Sequence, residues 1–315
     1  MATLKIMGVT AGRKSGNSEI LLKQALMACK DLGAEVRMIN LHDFNLQGCT
    51  GCEACTMGMA KGKRVECVLK EQDDKDKIME VLLQQDGVIF SVPTYDLMPC
   101  STYLTFAHRN LAYESSFLQM IGAIEKKDRV AGIISVGGST RAWQSMALEA
   151  MAATLFTNSF KVVDMMLGER ATRPGQVLLY PELLERATLL GKNIVNSVKT
   201  PSENRKWLGE ENYGWCPNCH SNALVKGEVQ WDGTYWPIEC QVCGAGGDIE
   251  KDKEGNWKFV IAENGLKKDR TQDKGRELHL VEIGATQKEF FQPDSQKIYK
   301  EKIETYKNLV FPGLT

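Results

Sequence analysis

The 315-residue sequence predicts a doubly wound α/β protein on a five-stranded parallel sheet, followed by a small β domain and a helical tail. Two observations carry that expectation. Over the first two hundred residues, short apolar runs alternate with stretches whose apolar residues recur at helical spacing. A β-α repeat of this kind implies parallel strands joined by right-handed crossovers, with helices on both faces. After Thr200-Pro201-Ser202-Glu203-Asn204 the alternation stops, and paired cysteines and turn signals take over.

The elements follow in order. Leu4 to Val9 reads as the first strand. Leu21, Leu22, Ala25, Leu26, Cys29 and Leu32 form one helical stripe between Ser18 and Leu32, with Cys29 as a small core hydrophobe. Glu35 to Asn40 is the second strand, and a cysteine-rich loop over 46–72 follows. Asp73 to Gln85 reads as a helix with Asp73 or Asp74 as its N-cap. Gly87 to Val92 and Arg129 to Gly137 are buried-type strands. Trp143, Met146, Ala147, Ala150 and Met151 form a helical face. Phe160 to Leu167 is the fifth strand, and Leu183, Leu184, Ala187, Leu190, Ile194, Val195 and Val198 line a long helix. Three units are expected: 1–200, a β domain at 213–261 with turns at Asp232-Gly233 and Glu254-Gly255-Asn256, and a charged tail at 262–315 with a helix from about Ser295 to Asn308.

Composition narrows the function classes. An apolar fraction of 43% and a charged fraction of 25% are ordinary for a globular protein. A net charge of -1 gives no global electrostatic case for nucleic acid or an anionic membrane. No run approaches the roughly 20 apolar residues of a membrane span, and the first residues lead into a strand rather than a signal peptide. The expectation is a cytoplasmic protein, where clustered cysteines argue for metal ligation over disulfides. His42, His108, His220 and His279 are scattered, and no Ser/His/Asp set stands out. Tyr103 to Phe106 and Trp231, Tyr235 and Trp236 read as packing.

The chemistry-bearing loops all follow strands, where open α/β sheets bind their ligands. Thr10-Ala11-Gly12-Arg13-Lys14-Ser15-Gly16-Asn17-Ser18 puts hydroxyls and free N–H groups at a helix start, an anion cradle suited to a phosphate monoester such as that of FMN. The same residues also suit an ordinary strand-helix turn. Ser91-Val92-Pro93-Thr94-Tyr95 offers a fixed turn and an aromatic ring for a flat ligand. Gly137-Gly138-Ser139-Thr140-Arg141 lets a ligand approach the backbone. Cys49, Cys52 and Cys55 stand at three-residue spacing, with Cys67 after eleven further residues. Such a set suits an iron–sulfur cluster, with a zinc site or a free C-x-x-C redox pair as competing readings.

Together these motifs resemble the NADPH-dependent FMN reductase superfamily with its flavodoxin-like fold, and within it the iron–sulfur flavoproteins. The resemblance rests on Thr10-Ala11-Gly12-Arg13 through Asn17-Ser18, on Cys49-Thr50-Gly51-Cys52-Glu53-Ala54-Cys55 with Cys67 ahead of Asp73-Asp74, and on Ser91-Val92-Pro93-Thr94-Tyr95. It spans about residues 1 to 200. Two departures are visible: Thr10-Ala11-Gly12 replaces Gly-Ser-Pro, and Thr56 to Glu66 lengthen the gap before the fourth cysteine. The resemblance implies FMN held by the strand-end loops, a [4Fe–4S] cluster on Cys49, Cys52, Cys55 and Cys67, and a homo-oligomer, dimer or tetramer, whose neighbouring centres exchange electrons. Thr10, Gly12, Arg13, Asn17 and Ser18 become candidates for the phosphate end. Pro93, Thr94, Tyr95, Gly137 and Gly138 become candidates for the ring.

The second cysteine set, Cys216, Cys219, Cys240 and Cys243, is two C-x-x-C knuckles twenty residues apart. It resembles zinc ribbons and, less closely, rubredoxins. Four thiolates from two tight turns make a closed structural site that a small domain needs, which favours zinc over a redox iron. His220 follows Cys219 where rubredoxins carry glycine. The expected function is an FMN-dependent oxidoreductase passing electrons between a ferredoxin-like carrier or NAD(P)H and a small-molecule acceptor. The alternatives are an NAD(P)H-dependent FMN or quinone reductase with structural cysteines, and a redox-sensing regulatory protein that binds through its ribbon.

Overall fold

The computed structural model describes residues 3–211, 213–309 and 311. Strand β1 (Lys5–Thr10), helix α1 (Asn17–Asp31) and strand β2 (Glu35–Asn40) open the chain. The cysteine loop carries α2 (Ala54–Ala60), and α3 (Lys75–Leu82) leads into β3 (Gly87–Tyr95), which folds back as β4 (Met98–Pro99). Then come α4 (Ser101–Ala107), α5 (Ser115–Met120), β5 (Arg129–Val136), α6 (Ala147–Phe156), β6 (Phe160–Gly168) and α7 (Pro181–Lys199). The parallel strands run in the order β2-β1-β3-β5-β6, with β4 pairing antiparallel on β3. This is the flavodoxin order, with its switch point between β1 and β3.

Two apolar layers sandwich the sheet. Leu21, Leu22 and Ala25 of α1 and Leu190 and Ile194 of α7 pack with Ile6, Ile89 and Ile134. On the other face, Ile78, Tyr103, Phe106, Met151 and Leu155 pack with Met7, Phe90 and Ile133. The central strands read as continuous apolar runs because both faces are buried. Cys29 is fully buried, donates to Gly191 O at 3.3 Å, and has its thiol pushed up to about 12 by burial. Gly191 is where α7 touches α1: a Cβ there would stand 2.1 Å from Ala25 O, a backbone atom that cannot turn aside. Gly191→Ala is therefore expected to cost at least about 1–3 kcal/mol, seen as a lower urea midpoint at unchanged slope.

The second part is a four-stranded antiparallel sheet in the order β10-β9-β8-β7, built from β7 (Leu224–Lys226), β8 (Ile238–Cys240), β9 (Gly246–Lys251) and β10 (Trp257–Ile261). Helices α8 (Asp273–Phe290) and α9 (Pro293–Lys307) follow. The linker is pinned to the first sheet: Leu208 N donates to Val163 O at 2.8 Å and Asn193 Nδ2 donates to Leu208 O at 2.8 Å. No helix of the described residues is long and apolar enough to cross a membrane.

Several expectations are corrected. Pro93, Thr94 and Tyr95 continue β3 rather than form a loop. Pro93 fits there because its carbonyl accepts from Cys100 N, so its N faces the side of β1 rather than β5, and β1 pairs with β3 only as far as Ser91. Asp74 occupies the cap of α3 without capping it and accepts from Asn45 N instead, while Asp73, the other expected cap, accepts from Lys75 N at 3.2 Å. Trp143 lies ahead of α6 and is exposed. Trp231 and Tyr235 are half exposed, whereas Trp236 is buried. Helix α8 had no sequence signal.

Candidate functional site

Beyond the carboxyl ends of the strands lies a cavity of about 240 Å³. Gly12, Arg13, Asn17, Ser18, Pro93, Thr94, Tyr95, Gly137 and Gly138 all line it. Thr10 does not. It is fully buried behind the first loop, where its hydroxyl accepts from Gly12 N at 3.2 Å. Sequence reasoning missed a fourth wall, Ala171, Thr172 and Pro174, from the loop after β6. Its only signal was position: it follows the last strand and ends in Pro174-Gly175. A larger cavity of about 960 Å³ opens beside Trp231, Cys240 and Arg276, and none of the strand-end loops lines it.

Interlocking hydrogen bonds hold the walls. Asn17 Nδ2 donates to Ala171 O at 2.8 Å and Arg173 O at 2.9 Å, and Asn17 Oδ1 accepts from Val177 N at 3.3 Å. Its amide thus ties the first loop to the fourth. Asn40 Nδ2 donates to Gly12 O and His42 Nε2 to Ala11 O, both at 2.8 Å. Ser91 Oγ donates to Ser18 O at 2.8 Å. Buried Gln144, absent from the sequence candidates, joins three walls: Nε2 donates to Ser139 O at 2.9 Å and Gly168 O at 3.3 Å, and Oε1 accepts from Thr94 Oγ1 at 3.0 Å.

This frame fits FMN. Gly16 caps α1 with extended backbone and no side-chain bond, so the first-turn N–H groups of Asn17, Ser18 and Glu19 have no partner within the helix. Those N–H groups and the helix dipole favour a phosphate. Arg13 lines the same end, and Tyr95, at 54% exposure, presents a ring at the other.

Of the first cysteine set, Cys49 and Cys52 are exposed, whereas Cys55 and Cys67 are partly buried. Burial, and to a lesser degree the charges of Cys49 and Cys52, pushes the Cys55 thiol up. Among the described residues these four are not gathered at single-ion spacing. Cys67 Sγ accepts from Arg109 Nη2 at 3.3 Å. Two exposed thiols, a partly buried third and a fourth held by Arg109 suit an inorganic cluster, which spreads its ligands wider than one ion does.

The second set is gathered. Cys216, Cys219, Cys240 and Cys243 are buried, with all four sulfurs within 4.8 Å of one another. Cys216–Cys243 and Cys219–Cys240 are each 3.6 Å apart. A tetrahedral ion with sulfurs at about 2.3 Å spaces them by about 3.8 Å, so one ion fits. Each knuckle closes on itself: His220 N donates to Cys216 O and Gly244 N to Cys240 O, both at 2.8 Å. His220 and Gly244 both take the left-handed conformation, with φ of 58° and 83°. His220 is no fifth ligand. It stacks on Trp207 with ring centroids 4.1 Å apart.

The NADPH-dependent FMN reductase family matches residues 4–167, over half of the chain, and the chain belongs to that family. It is a flavin-dependent oxidoreductase with a flavodoxin-like fold. A flavone synthase of Aspergillus candidus is 23% identical over 300 residues, covering 89% of this chain and 88% of that protein. An iron–sulfur flavoprotein of Methanocaldococcus jannaschii is 26% identical over 204 residues, covering 62% of this chain and 98% of that protein. The solved structure of a flavone reductase superposes with a TM-score of 0.73 at 23% identity, covering 99% of this chain and 100% of that one.

Proposed function

We propose that the chain passes electrons, by way of FMN, between NAD(P)H or a ferredoxin-like carrier and a small-molecule acceptor. The observation that carries this is the convergence of the end of β3 and the loops after β1, β5 and β6 on one cavity at the switch point of the sheet. Arg13, Ser18 and the first-turn amides of α1 hold the phosphate, Gly12 lets it approach, and Thr10 and Asn17 hold the loops. Pro93, Thr94, Tyr95, Gly137 and Gly138 face the ring. Bound there, FMN supplies transfer of one or two electrons, and the protein supplies orientation. In this reading Cys49, Cys52, Cys55 and Cys67 hold a [4Fe–4S] cluster, and Cys216, Cys219, Cys240 and Cys243 hold zinc. The working form is a cytoplasmic homo-oligomer. Anaerobically purified protein is expected to show a flavin spectrum over broad cluster absorbance, with about four iron and four sulfide per chain and about one zinc. Flavin without iron and sulfide would sink the cluster part of the reading, and absence of flavin would sink all of it.

One observation favours a second reading of the acceptor. The flavone synthase matches nearly the whole chain, ribbon and tail included, whereas the iron–sulfur flavoprotein matches only part of it. The small molecule that exchanges electrons with the flavin is then of the flavone class, a flat conjugated phenolic ketone or its dihydro form. Turnover of a flavone with NADPH separates the two. A full rate in cluster-free protein places the cysteine loop off the electron path.

A further inference from the structure

We propose that Arg109 is a positioning residue for the iron–sulfur cluster: it clips the two ends of the cysteine loop together and tunes the cluster through a hydrogen bond to Cys67. This rests on the cluster reading above. Arg109 follows α4, outside every motif visible in the sequence, and its side chain is 2% exposed. Nη1 pairs with fully buried Asp73 and donates to Gln47 O at 3.3 Å, while Nη2 donates to Cys67 Sγ at 3.3 Å. Asp73 completes the clip, since its Oδ2 also accepts from Gln47 N at 3.0 Å. Gln47 lies two residues before Cys49, and Cys67 lies beyond the eleven-residue extension. One guanidinium therefore fixes the chain on both sides of the loop, whatever length intervenes.

A purely structural role does not account for this arrangement. A buried ion pair is no better on average than an apolar pair of the same shape, and Arg109 Nε is left buried without a partner. The planar fork instead places one N–H on the carboxylate side and one on sulfur, a division that lysine cannot reproduce. A donor aimed at a thiolate stabilises the cluster more in its reduced form, which carries the extra negative charge, and so raises the reduction potential. It also orients the ligand, as outer-shell partners of metal ligands do.

The test uses full-length, FMN-loaded protein reconstituted anaerobically with ferrous iron and sulfide. Wild type is compared with Arg109→Gln and with Arg109→Gln/Asp73→Asn, which removes both buried charges together and so guards against misfolding from an unpaired Asp73. The expected result is FMN content like wild type, a 10- to 100-fold weaker hold on iron against a chelator, and a lower midpoint potential in an EPR-monitored titration. Equal iron retention and equal potential in a folded variant overturn the assignment. Failure of wild type to take up iron and sulfide overturns the cluster reading itself, and the role of Arg109 with it.

Discussion

Stripping the metal from Cys216, Cys219, Cys240 and Cys243 is expected to unfold residues 213–261 while the parallel sheet stays folded. The ribbon has little else to hold it. Its strands are three, three, six and five residues long, and besides the cysteines its buried apolar residues are few: Tyr213, Trp236, Val242, Ala245 and Phe259. Structural zinc contributes about 10–16 kcal/mol in isolated zinc-finger peptides, more than the few kcal/mol net of a small unaided core. Without the ion, four buried thiols are left at contact distance, and His220 is left in a left-handed conformation that costs about 1–3 kcal/mol. Hydrogen exchange after treatment with a mercurial and chelator should show loss of protection across β7–β10 and retention across β1, β3 and β5. The ribbon also leans on its neighbour: Asn222 N donates to Glu149 Oε1 at 3.3 Å, and Arg141 sits 4.6 Å over the Tyr213 ring. Protection that persists in β7–β10 of metal-free protein would mean that these contacts, rather than the ion, hold the ribbon.

What the sequence made legible follows from which forces leave a pattern. Buried parallel strands such as Gly87–Val92 show as apolar runs, and α1 and α7 show as apolar stripes, because burial on one or two faces dictates residue type. Helix α8 left no such trace. The residues it buries are Gly275 and Arg276, and Arg276 docks by donating to Ser116 Oγ at 2.8 Å, Ser159 Oγ at 2.9 Å and Arg270 O at 2.7 Å. A helix anchored by one arginine has no apolar period to read. The pocket divides likewise. Loops with glycine, proline and hydroxyl residues announced themselves, but Asn17 spends its amide on Ala171 O and Arg173 O, and Thr10 turns its hydroxyl to Gly12 N. Gln144, three residues past the Gly137–Arg141 loop, frames the pocket, and Arg109, outside every motif, holds the cysteine loop; both act through contacts that only the fold creates.

Gly137→Ala is expected to weaken FMN binding by about one to two decades in Kd, since overpacking of this kind costs about 1–3 kcal/mol and each 1.4 kcal/mol is tenfold. A Cβ on residue 137 would stand 2.6 Å from Gln144 Oε1 and 2.7 Å from Gln144 Cδ. The amide cannot move aside freely, because it holds Thr94, Ser139 and Gly168 at once. Displacing it releases the β3 end from the loops after β5 and β6, which are three of the cavity's walls. Gln144 lies outside the apolar layers, so the clash is relieved by displacing it: fluorescence titration with FMN shows the loss, and the stability of the flavin-free protein, followed by melting, falls by no more than the same cost of about 1–3 kcal/mol. A double-mutant cycle separates frame from direct contact. If Gly137 acts through Gln144, then adding Gly137→Ala to Gln144→Ala costs nothing further, and the two substitutions are strongly non-additive. Additive losses would mean instead that the missing Cβ makes room for FMN itself, and that Gln144 holds its walls by a separate route.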